Sequence, residues 1–277
     1  MGRELTYSQR VERALLTDYR KAIWRPFLRG VREYALIRPG DRIAVCVSGG
    51  KDSMLLAKLM QLLERTPDVP FEARYVIMDP GYAPEVRARI EDNARRLEIP
   101  YTLFESDVFA AAADSGKRPC FMCARMRRGC LYEQAKKLGC NRIALGHHMN
   151  DVIETALLSM FYGGQVQGML PKVRAEHFPG MALIRPLYRV READILQWSA
   201  FTGLEFARCA CRLTRREGDS RRAAMKALIR KLGEENPNIE ANLFGSLHTV
   251  QLDTLPGWKT GGAAHSFLER FDSLEED

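Results

Sequence analysis

The chain of 277 residues contains no apolar run that approaches the roughly 18 residues a membrane-spanning helix requires. Its N-terminal stretch carries charges throughout and has no apolar core like that of a secretory signal peptide. The sequence also has no internal repeat and no low-complexity tract. We therefore expect a cytoplasmic globular protein without a membrane partner. Because the cytoplasm is reducing, its seven cysteines need an explanation other than disulfide bonds.

Acidic residues are scarce in two stretches of the sequence. Between Lys117 and Arg142 the only acid is Glu133, and basic residues again dominate from Arg208 to Lys231. The whole chain carries a net charge of +7, which favours a polyanionic partner. Charged runs are most often solvated helix faces, but both stretches lie beside cysteines. A surface role and a binding role are therefore equally open.

Predicted strands and helices alternate through most of the chain. Five apolar runs are typical of strands: residues 43–47, 71–78, 101–104, 142–145 and 182–185. Helical patterns lie between and after them: residues 54–63, 85–97, 107–113, 120–138, 150–162 and 191–202. This alternation predicts an α/β fold with a doubly wound, mostly parallel sheet. In such sheets ligands bind beyond the carboxyl ends of the strands.

We expect four segments along the chain. Residues 1–38 are predicted to form a helical N-terminal segment, and residues 39–200 the α/β domain. Residues 201–255 are predicted to form a small helical C-terminal region, followed by a tail over 256–277 without assigned elements.

A short polar loop joins the first predicted strand to its helix: Ser48, Gly49, Gly50, Lys51, Asp52 and Ser53. Glycines let a backbone approach an anion closely, and the N–H groups at a helix N-terminus bind phosphate. The serine hydroxyls can donate hydrogen bonds, and Lys51 adds a point charge. The loop therefore predicts a phosphate site, although an ordinary strand–turn–helix connection is the alternative.

The spacing of this loop differs from the signatures of P-loop NTPases and of dinucleotide-binding Rossmann folds. It resembles the loop of the PP-loop ATP pyrophosphatases, which have a HUP-like Rossmannoid fold and cleave ATP between the α- and β-phosphates. The resemblance implies that residues 48–53 hold the terminal phosphates of ATP. It also implies that the protein adenylates a substrate and releases pyrophosphate.

Other polar residues follow the predicted strands and have two interpretations each. Gly146 would let a ligand approach the end of the strand at 142–145, and His147 is either a loop histidine or a phosphate contact. Asp151 and Asp52 either cap their helices or, by the resemblance, act near Mg²⁺. Asp79 either forms the Asp-Pro-Gly turn or lies where the family binds adenosine.

The cysteines form a second candidate site. Cys120 and Cys123 make a CxxC at the start of a predicted helix, and Cys209 and Cys211 make a CxC far downstream. A CxxC serves zinc, redox disulfides and iron–sulfur clusters alike, and two packed small side chains are the simplest alternative. The flanking basic residues favour thiolates. The remaining three are interpreted as packing residues: Cys46, Cys130 and Cys140.

Three blocks occur in the order typical of the tRNA 2-thiolation enzymes of the TtcA/TtuA type: residues 48–53, 119–128 and 146–151. The Phe-Tyr-Gly-Gly at 161–164 and the Ile-Arg-Pro-Leu at 184–187 resemble the 2-thiocytidine (TtcA) branch more closely. The 2-thiouridine branch carries zinc-finger cysteines near both ends, which this sequence lacks. The resemblance extends from residue 20 to residue 250.

This resemblance implies a sulfurtransferase that uses ATP, Mg²⁺ and a [4Fe–4S] cluster to thiolate a pyrimidine of tRNA, cytidine in this branch. The implied cluster ligands are Cys120, Cys123 and Cys209, with Cys211 as a rival for the third position. The sulfur donor would be a cysteine desulfurase or sulfide, and a homodimer is possible.

The resemblance also implies roles for individual polar residues. The catalytic residues would be Lys51, Asp52 and Asp151. The nucleotide site would add the other residues of the 48–53 loop together with Asp79, Gly146 and His147. The tRNA backbone would be held by five arginines: Arg125, Arg127, Arg128, Arg221 and Arg222.

Two other classes of protein stay open at this point. One is a different PP-loop ATPase, such as an amide-forming or lysidine-type ligase or an enzyme of small-molecule sulfur transfer. The other is a zinc-stabilised RNA-binding protein, since Cys209 and Cys211 together could complete the four ligands of structural zinc. An iron assay separates the first class from a thiolation enzyme, and ATP-independent tRNA affinity would identify the second.

Overall fold

The computed structural model describes residues 4–66, 69–114, 119–207 and 218–271. The chain forms two compact units, Met1–Leu228 and Ile229–Asp277. The four segments expected from the sequence stay a prediction. Within the described ranges no helix combines the length and the apolar character that crossing a membrane requires.

The first unit is built on a six-stranded sheet. Its strands in chain order are β1 (Arg42–Val47), β2 (Glu72–Asp79), β3 (Tyr101–Glu105), β4 (Arg142–Ala144), β5 (Lys172–Arg174) and β6 (Ala182–Ile184). Their spatial order is β3-β2-β1-β4-β6-β5, and all neighbours are parallel except β5, which runs antiparallel to β6. The predicted doubly wound, mostly parallel α/β sheet is thereby confirmed.

Helices connect and cover these strands. In chain order they are α1 (Tyr7–Leu16), α2 (Arg25–Glu33), α3 (Lys51–Arg65), α4 (Pro84–Arg96), α5 (Val108–Asp114), α6 (Pro119–Lys137), α7 (Met149–Gly163), α8 (Glu192–Thr202) and α9 (Gly218–Glu235). A π-helical turn, Arg20–Trp24, joins α1 to α2. The CxxC therefore lies in the first turns of a helix, as the sequence predicts.

The two faces of the sheet are buried in separate apolar cores. Side chains alternate along a strand, so Val45 of β1 joins the larger core with Leu55 of α3. Cys46 faces the opposite way and joins the smaller core with Tyr132 of α6. Cys140 lies in the same core, which confirms the packing interpretation of these two cysteines. Burial raises the pKa of Cys46 to about 12, so its thiol stays protonated.

The order of the strands places β1 beside β4, and this pair marks the point where the sheet changes direction. The chain runs from β1 to β2 and β3 on one side, and β4 and β6 lie on the other. Val45 pairs with Ala144 in the β1–β4 register, so both strands end at the same edge. The loops after β1 and β4 therefore meet in the crevice where doubly wound sheets bind ligands.

Two structural elements depart from the sequence analysis. The edge strand β5 has three residues, two of them basic, which is too short and too polar to predict. The second unit contains α10 (Ile239–Ser246), which lies in the region predicted to be helical. It also contains a hairpin of β7 (Gly257–Thr260) and β8 (Ala263–Ser266) followed by α11 (Leu268–Phe271), although no element was predicted beyond residue 255. The rings of Trp258 and His265 stack across this hairpin at 5.3 Å. Its strands have no alternating apolar pattern, which explains why they were missed.

A buried lysine of α3, Lys58, links that helix by hydrogen bonds to α1 and to the end of α4. The Lys58 ammonium is buried and donates to Glu12 Oε1 at 2.6 Å, to Ser8 Oγ at 3.0 Å and to the Leu97 carbonyl at 2.9 Å. Arg65 donates to the same Glu12 oxygen at 2.6 Å from a position where 56% of its side chain is exposed. Glu12 thus has one buried and one solvated partner.

We predict that Glu12→Ala lowers the free energy of unfolding by about 3 kcal/mol, because it leaves the Lys58 charge buried without its counter-ion. Arg65→Ala removes only the exposed partner of the same carboxylate, and we expect a loss below about 1 kcal/mol. Urea denaturation of the two variants measures both values. Similar losses in the two variants would contradict the importance of the buried pair.

Candidate active site

The loop after β1 turns directly into α3 and is held by its two serines. Ser53 Oγ accepts from the Ser48 backbone N–H at 3.1 Å and donates to the Gly50 carbonyl at 2.9 Å. Gly50 is the N-cap residue of α3, and no side chain makes a capping hydrogen bond there. The first N–H groups of a helix have no partner within it, and the helix dipole adds positive charge. The loop therefore offers backbone donors suited to a phosphate.

The two loop glycines lack a side chain for different reasons. Gly49 has a φ of +82°, and a Cβ there would lie 2.3 Å from Ile90 Cγ1 of α4, so the packing of the loop requires glycine. Gly50 has an ordinary φ of −77°, and a Cβ there would meet its nearest neighbours only at 3.8 Å. The fold gives no reason for glycine at position 50. Close approach of a phosphate to the backbone would explain it.

Gly146 joins the loop after β4 to the start of α3. A Cβ at Gly146 would lie 3.1 Å from the Asp52 carbonyl carbon and 3.1 Å from the Ser53 nitrogen. That separation is tighter than side-chain contacts normally allow. The structure therefore shows a packing role for Gly146, and its predicted contact with a ligand stays a prediction.

Three carboxylates lie around His148 beyond the ends of β1 and β4, and a fourth, Glu154, shares the cations Arg222 and Lys226 with two of them. We call these four the carboxylate cluster: Asp52, Asp151, Glu154 and Glu192. His148 Nε2 lies 3.8 Å from Asp52 Oδ1, 3.6 Å from Asp151 Oδ2 and 3.9 Å from Glu192 Oε1. The sequence nominated the two aspartates alone. Glu192 begins α8, which is distant along the chain, so no local pattern could identify it.

Three positively charged side chains contact the carboxylate cluster. Lys51 Nζ lies 2.9 Å from Asp52 Oδ1 and 3.3 Å from Glu192 Oε1. Lys226 of α9 donates to both Glu192 oxygens at 2.9 Å. Arg222, one turn earlier, donates to Asp151 Oδ1 at 3.1 Å. The negative charge of the site is thus compensated from α3 on one side and from α9 on the other.

The arginines of α9 differ in their surroundings. Arg222 faces the carboxylate cluster, while the guanidinium of Arg221 lies over the ring of Tyr162 at 5.0 Å from its centroid. The expected contact of both residues with RNA stays a prediction.

The start of α7 corrects the capping role considered for Asp151. The N-cap residue is His148, whose Nδ1 accepts from the Asp151 N–H at 3.4 Å, while Asp151 Oδ2 accepts from the His148 N–H at 3.0 Å. Asp151 is therefore the third residue of a capping box, with its other oxygen turned to Arg222. This arrangement fixes both side chains beside Asp52.

His147 is uncharged at neutral pH in this structure. Its Nδ1 is inaccessible to solvent and has no hydrogen-bond partner among the described residues. Burial lowers the pKa of His147 to about 4, and nearby Arg185 acts in the same direction while Asp151 opposes it. A neutral imidazole can contact a phosphate only as a hydrogen-bond donor. The unsatisfied nitrogen leaves room for a bound group to complete the site.

Glu154 is the most deeply buried member of the carboxylate cluster. One per cent of its side chain is exposed, and neither oxygen makes a hydrogen bond, although Arg222 Nε and Lys226 Nζ each lie 3.6 Å away. Burial raises the pKa of Glu154 to about 7, and the charges of Lys226 and Arg222 oppose this rise. Glu154 can therefore change its protonation near neutral pH.

Asp79 forms the Asp-Pro-Gly turn, as one of its two sequence-based interpretations predicts. Its Oδ1 accepts from the backbone N–H groups of Gly81 at 2.9 Å and of Tyr82 at 2.7 Å. Its Oδ2 lies 3.4 Å from Arg87 Nη1 of α4. Asp79 is buried and forms the turn that ends β2. Its contact with adenosine stays a prediction.

The candidate metal ligands are only partly described. Carboxylate oxygens are the ligands that Mg²⁺ prefers, so the carboxylate cluster has suitable donors. Within the described part of the chain, however, no three ligand side chains are arranged to hold a metal ion. Cys120 and Cys123 lie three residues apart at the start of α6. Cys209 and Cys211 lie outside the described residues, so the cluster ligands stay a prediction.

We predict opposite defects for alanine at the two loop glycines. Gly49→Ala forces the loop away from Ile90 and should lower the free energy of unfolding by about 2–3 kcal/mol. Gly50→Ala should change stability by less than about 1 kcal/mol but weaken ATP binding at least about tenfold, because the methyl group separates phosphate from the backbone donors. Denaturation and calorimetric titration with ATP test the pair. Normal ATP affinity in Gly50→Ala would contradict the phosphate site.

We also predict a pH effect from Glu154. Its pKa rises from 4.5 to about 7 on folding, so between these values the folded state holds a proton that the unfolded chain has released. Stability therefore falls as the pH rises through this range, by on the order of 1–3 kcal/mol. Glu154→Gln should remove that fall in denaturation curves recorded with a metal chelator. The exposed Glu235→Gln should retain it, and equal pH profiles for wild type and Glu154→Gln would contradict the assignment.

Comparison with known proteins agrees with the geometry. A family model described as a PP-loop domain matches residues 21–216. The tRNA-cytidine(32) 2-sulfurtransferase of Alkalilimnicola ehrlichii is 37% identical over 227 residues, which cover 80% of this chain and 70% of that protein. The enzyme of the same name from Alcanivorax borkumensis is 32% identical over 271 residues, covering 96% of this chain and 90% of that protein.

A solved structure supports the same fold. It is the U34-tRNA thiolase NcsA from Methanococcus maripaludis with its [4Fe-4S] cluster, which aligns with a TM-score of 0.65 at 17% identity and covers 85% of this chain and 81% of that chain. At this identity the likeness concerns the fold alone. The matches confirm the resemblance inferred from the three sequence blocks. The chain belongs to the PP-loop family and, within it, to the family of the tRNA-cytidine(32) 2-sulfurtransferases.

Proposed function

We propose that this enzyme is an ATP-dependent sulfurtransferase that replaces the C2 oxygen of a cytidine in tRNA with sulfur and releases AMP and pyrophosphate. The observation that carries the proposal is the junction between the phosphate loop and the carboxylate cluster. Lys51 and Asp52 belong to the first turn of α3, and they lie 3.3 Å from Glu192 and 3.8 Å from His148 respectively. Groups that bind phosphate and groups that hold a cation thus share one crevice.

ATP is required because the C2 oxygen of a pyrimidine is a poor leaving group. In the proposed reaction this oxygen attacks the α-phosphorus of ATP, and the bond from that phosphorus to the β-phosphate breaks to release pyrophosphate. Sulfur then attacks C2, and the bond between C2 and oxygen breaks so that AMP leaves with the former C2 oxygen. The target base must leave its stack to reach such a site, as bases do in other enzymes that modify them.

The residues of the crevice divide the work of the first step. The backbone N–H groups after Gly50, together with the Ser48 hydroxyl, would bind the β- and γ-phosphates and stabilise the departing pyrophosphate. The Ser53 hydroxyl, which donates to the Gly50 carbonyl, would hold the loop in shape around them. Asp52 and Asp151 would hold Mg²⁺, which neutralises phosphate charge when bound. Lys51 would exchange one carboxylate partner for a phosphate oxygen. Lys226 stays on Glu192 during this exchange and keeps that carboxylate compensated.

The chemistry of the cysteines suits an iron–sulfur group better than a closed zinc site. Cys120, Cys123 and Cys209 would supply three thiolates, with Cys211 as the rival third ligand. A [4Fe–4S] cluster held by these three thiolates would supply the chemistry that delivers sulfur. Structural zinc would instead need both Cys209 and Cys211. Sulfur would be supplied by a cysteine desulfurase or by sulfide, and the homodimer stays a prediction.

We predict that anaerobically purified and reconstituted protein binds iron, releases pyrophosphate in the presence of tRNA and forms 2-thiocytidine. Lys51→Ala should lower the rate of pyrophosphate release about a hundredfold, because one positive group is lost where charge develops. The exposed Lys21→Ala serves as a control of equal charge and should match wild type.

Mass spectrometry of nucleosides and metal analysis provide the measurements. Bound zinc with tRNA affinity that ignores ATP would support an RNA-binding protein instead. Pyrophosphate release without any 2-thio nucleoside, on any tRNA, would point to a different PP-loop ATPase.

A further inference from the structure

A cavity of about 650 Å³ lies between α6 and the strands β5 and β6. Ala124, Arg128 and Tyr132 line it from α6, and Phe178 and Arg185 line it from the segment around β6. Its size exceeds what an inorganic phosphate needs and lies in the range of pockets that hold a nucleotide. The phosphate loop after β1 is not part of its lining. The cavity is therefore separate from the proposed phosphate site.

Positive charge dominates the lining of this cavity. Four arginines contribute to it, against Glu176 as the acid: Arg125, Arg128, Arg174 and Arg185. Among the described residues, none of these four arginines lies within salt-bridge distance of a carboxylate. Most arginines of the fold elsewhere compensate acids, as Arg87 and Arg189 do. Uncompensated arginines around a concave surface fit an anionic ligand.

Among these four arginines, the surroundings of Arg185 favour an anionic ligand most. Its Nε is inaccessible to solvent and has no hydrogen-bond partner among the described residues, while its Nη1 donates to the Leu170 carbonyl. Burial lowers the pKa of Arg185, and the charge of Arg128 adds to this effect. An unsatisfied buried donor beside a second like charge is costly. An anion in the cavity would offset the repulsion between Arg128 and Arg185, and the Arg185 Nε would gain a partner if the guanidinium turned toward that anion.

The cavity lies next to both halves of the proposed active site. Arg185 directly follows β6, whose carboxyl end faces the same edge as β4, and it is close enough to influence the charge of His147 and to feel that of Asp151. On the opposite wall, Ala124 is the residue after Cys123 of the CxxC. A ligand in the cavity would therefore lie beside the helix that begins with the CxxC, near the end of β6.

An aromatic wall suits the base of a nucleotide. The rings of Tyr132 and Phe178 stack at 4.9 Å with an interplanar angle of 17°. Both residues line the cavity, but Tyr132 is buried in the smaller core and supports the half-buried ring of Phe178 from behind. Single-stranded nucleic acids are bound by this combination of positive charge and aromatic surface. An acidic peptide would use the charge but not the aromatic wall.

We propose that this cavity binds a nucleotide of the RNA substrate, with its phosphodiester held by Arg128 and Arg185 and its base against the ring of Phe178. The inference rests on the proposed function, because it takes RNA as the substrate. It adds to that function a defined entry site for the unstacked nucleotide, placed beside the CxxC helix. It also separates the roles of neighbouring arginines, since Arg125 and Arg128 line the cavity while Arg127 lies near the buried Cys46.

The test measures the affinity of variants for an unmodified tRNA transcript at several salt concentrations. Arg128→Ala and Arg125→Ala should each weaken binding about tenfold, because a charge-assisted hydrogen bond to phosphate is lost. Each should also reduce the slope of log affinity against log salt by about 0.7. Arg128→Lys should keep the slope and recover part of the affinity. The exposed Arg25→Ala of α2, which removes the same charge elsewhere, should leave affinity and slope unchanged.

Two further measurements test the role of Arg185 and distinguish RNA from an acidic peptide as the ligand. Arg185→Lys, checked for folding by circular dichroism, should weaken tRNA binding, because lysine cannot supply the Nε donor. Polyglutamate is the comparison ligand. Arg128→Ala should weaken the binding of both ligands, whereas Phe178→Leu should weaken the binding of tRNA alone, because only a base uses the aromatic ring. Wild-type affinity and salt slope in both Arg125→Ala and Arg128→Ala would overturn the proposal, as would equal losses for polyglutamate and tRNA in Phe178→Leu. Wild-type formation of 2-thiocytidine is scored separately, so that the cavity can fail while the proposed function holds.

Discussion

The contact of Gly146 with the first turn of α3 is the constraint on which the site depends. The parallel register of β1 and β4 ends both strands at one edge, and the absent side chain at Gly146 lets the next loop press against Asp52 and Ser53. His148 then caps α7 within 4 Å of Asp52. A side chain at position 146 would separate the phosphate loop from the groups that follow β4. The chemistry proposed for the crevice requires these two loops to act together.

Charge compensation is the second determinant of the crevice. The carboxylate cluster would repel itself without the cations of α3 and α9, and Glu154 shows the cost of burial directly through its raised pKa. Lys226 on Glu192 is a pair internal to the protein, whereas Lys51 and Arg222 stand where phosphate and Mg²⁺ would compete for their partners. In the proposed function, a bound nucleotide would exchange some of these ion pairs. Such an exchange would account for acids and bases lying so close together in one place.

The sequence predicts the sheet and the phosphate loop because both depend on local patterns. Apolar runs identify the five parallel strands, and the residues between Ser48 and Ser53 have a spacing that few loops share. The sequence could not predict the partners of these residues. His148, Glu192 and Lys226 reach the site from three separate elements, and only the tertiary fold brings them together. The sequence also could not show why positions 49 and 50 are both glycine, because the reason at Gly49 depends on its packing against Ile90.

In the proposed function, the phosphate loop and the carboxylate cluster act on the C2 oxygen of a base whose nucleotide is held in the basic cavity. The central claim is that this oxygen is transferred to the α-phosphorus of ATP. A tRNA whose target cytidine carries a heavy oxygen isotope at C2 tests the claim most directly, with mass spectrometry of the products after a single turnover. We predict that the label appears in AMP. Label found in pyrophosphate or in water, with AMP unlabelled, would contradict the account.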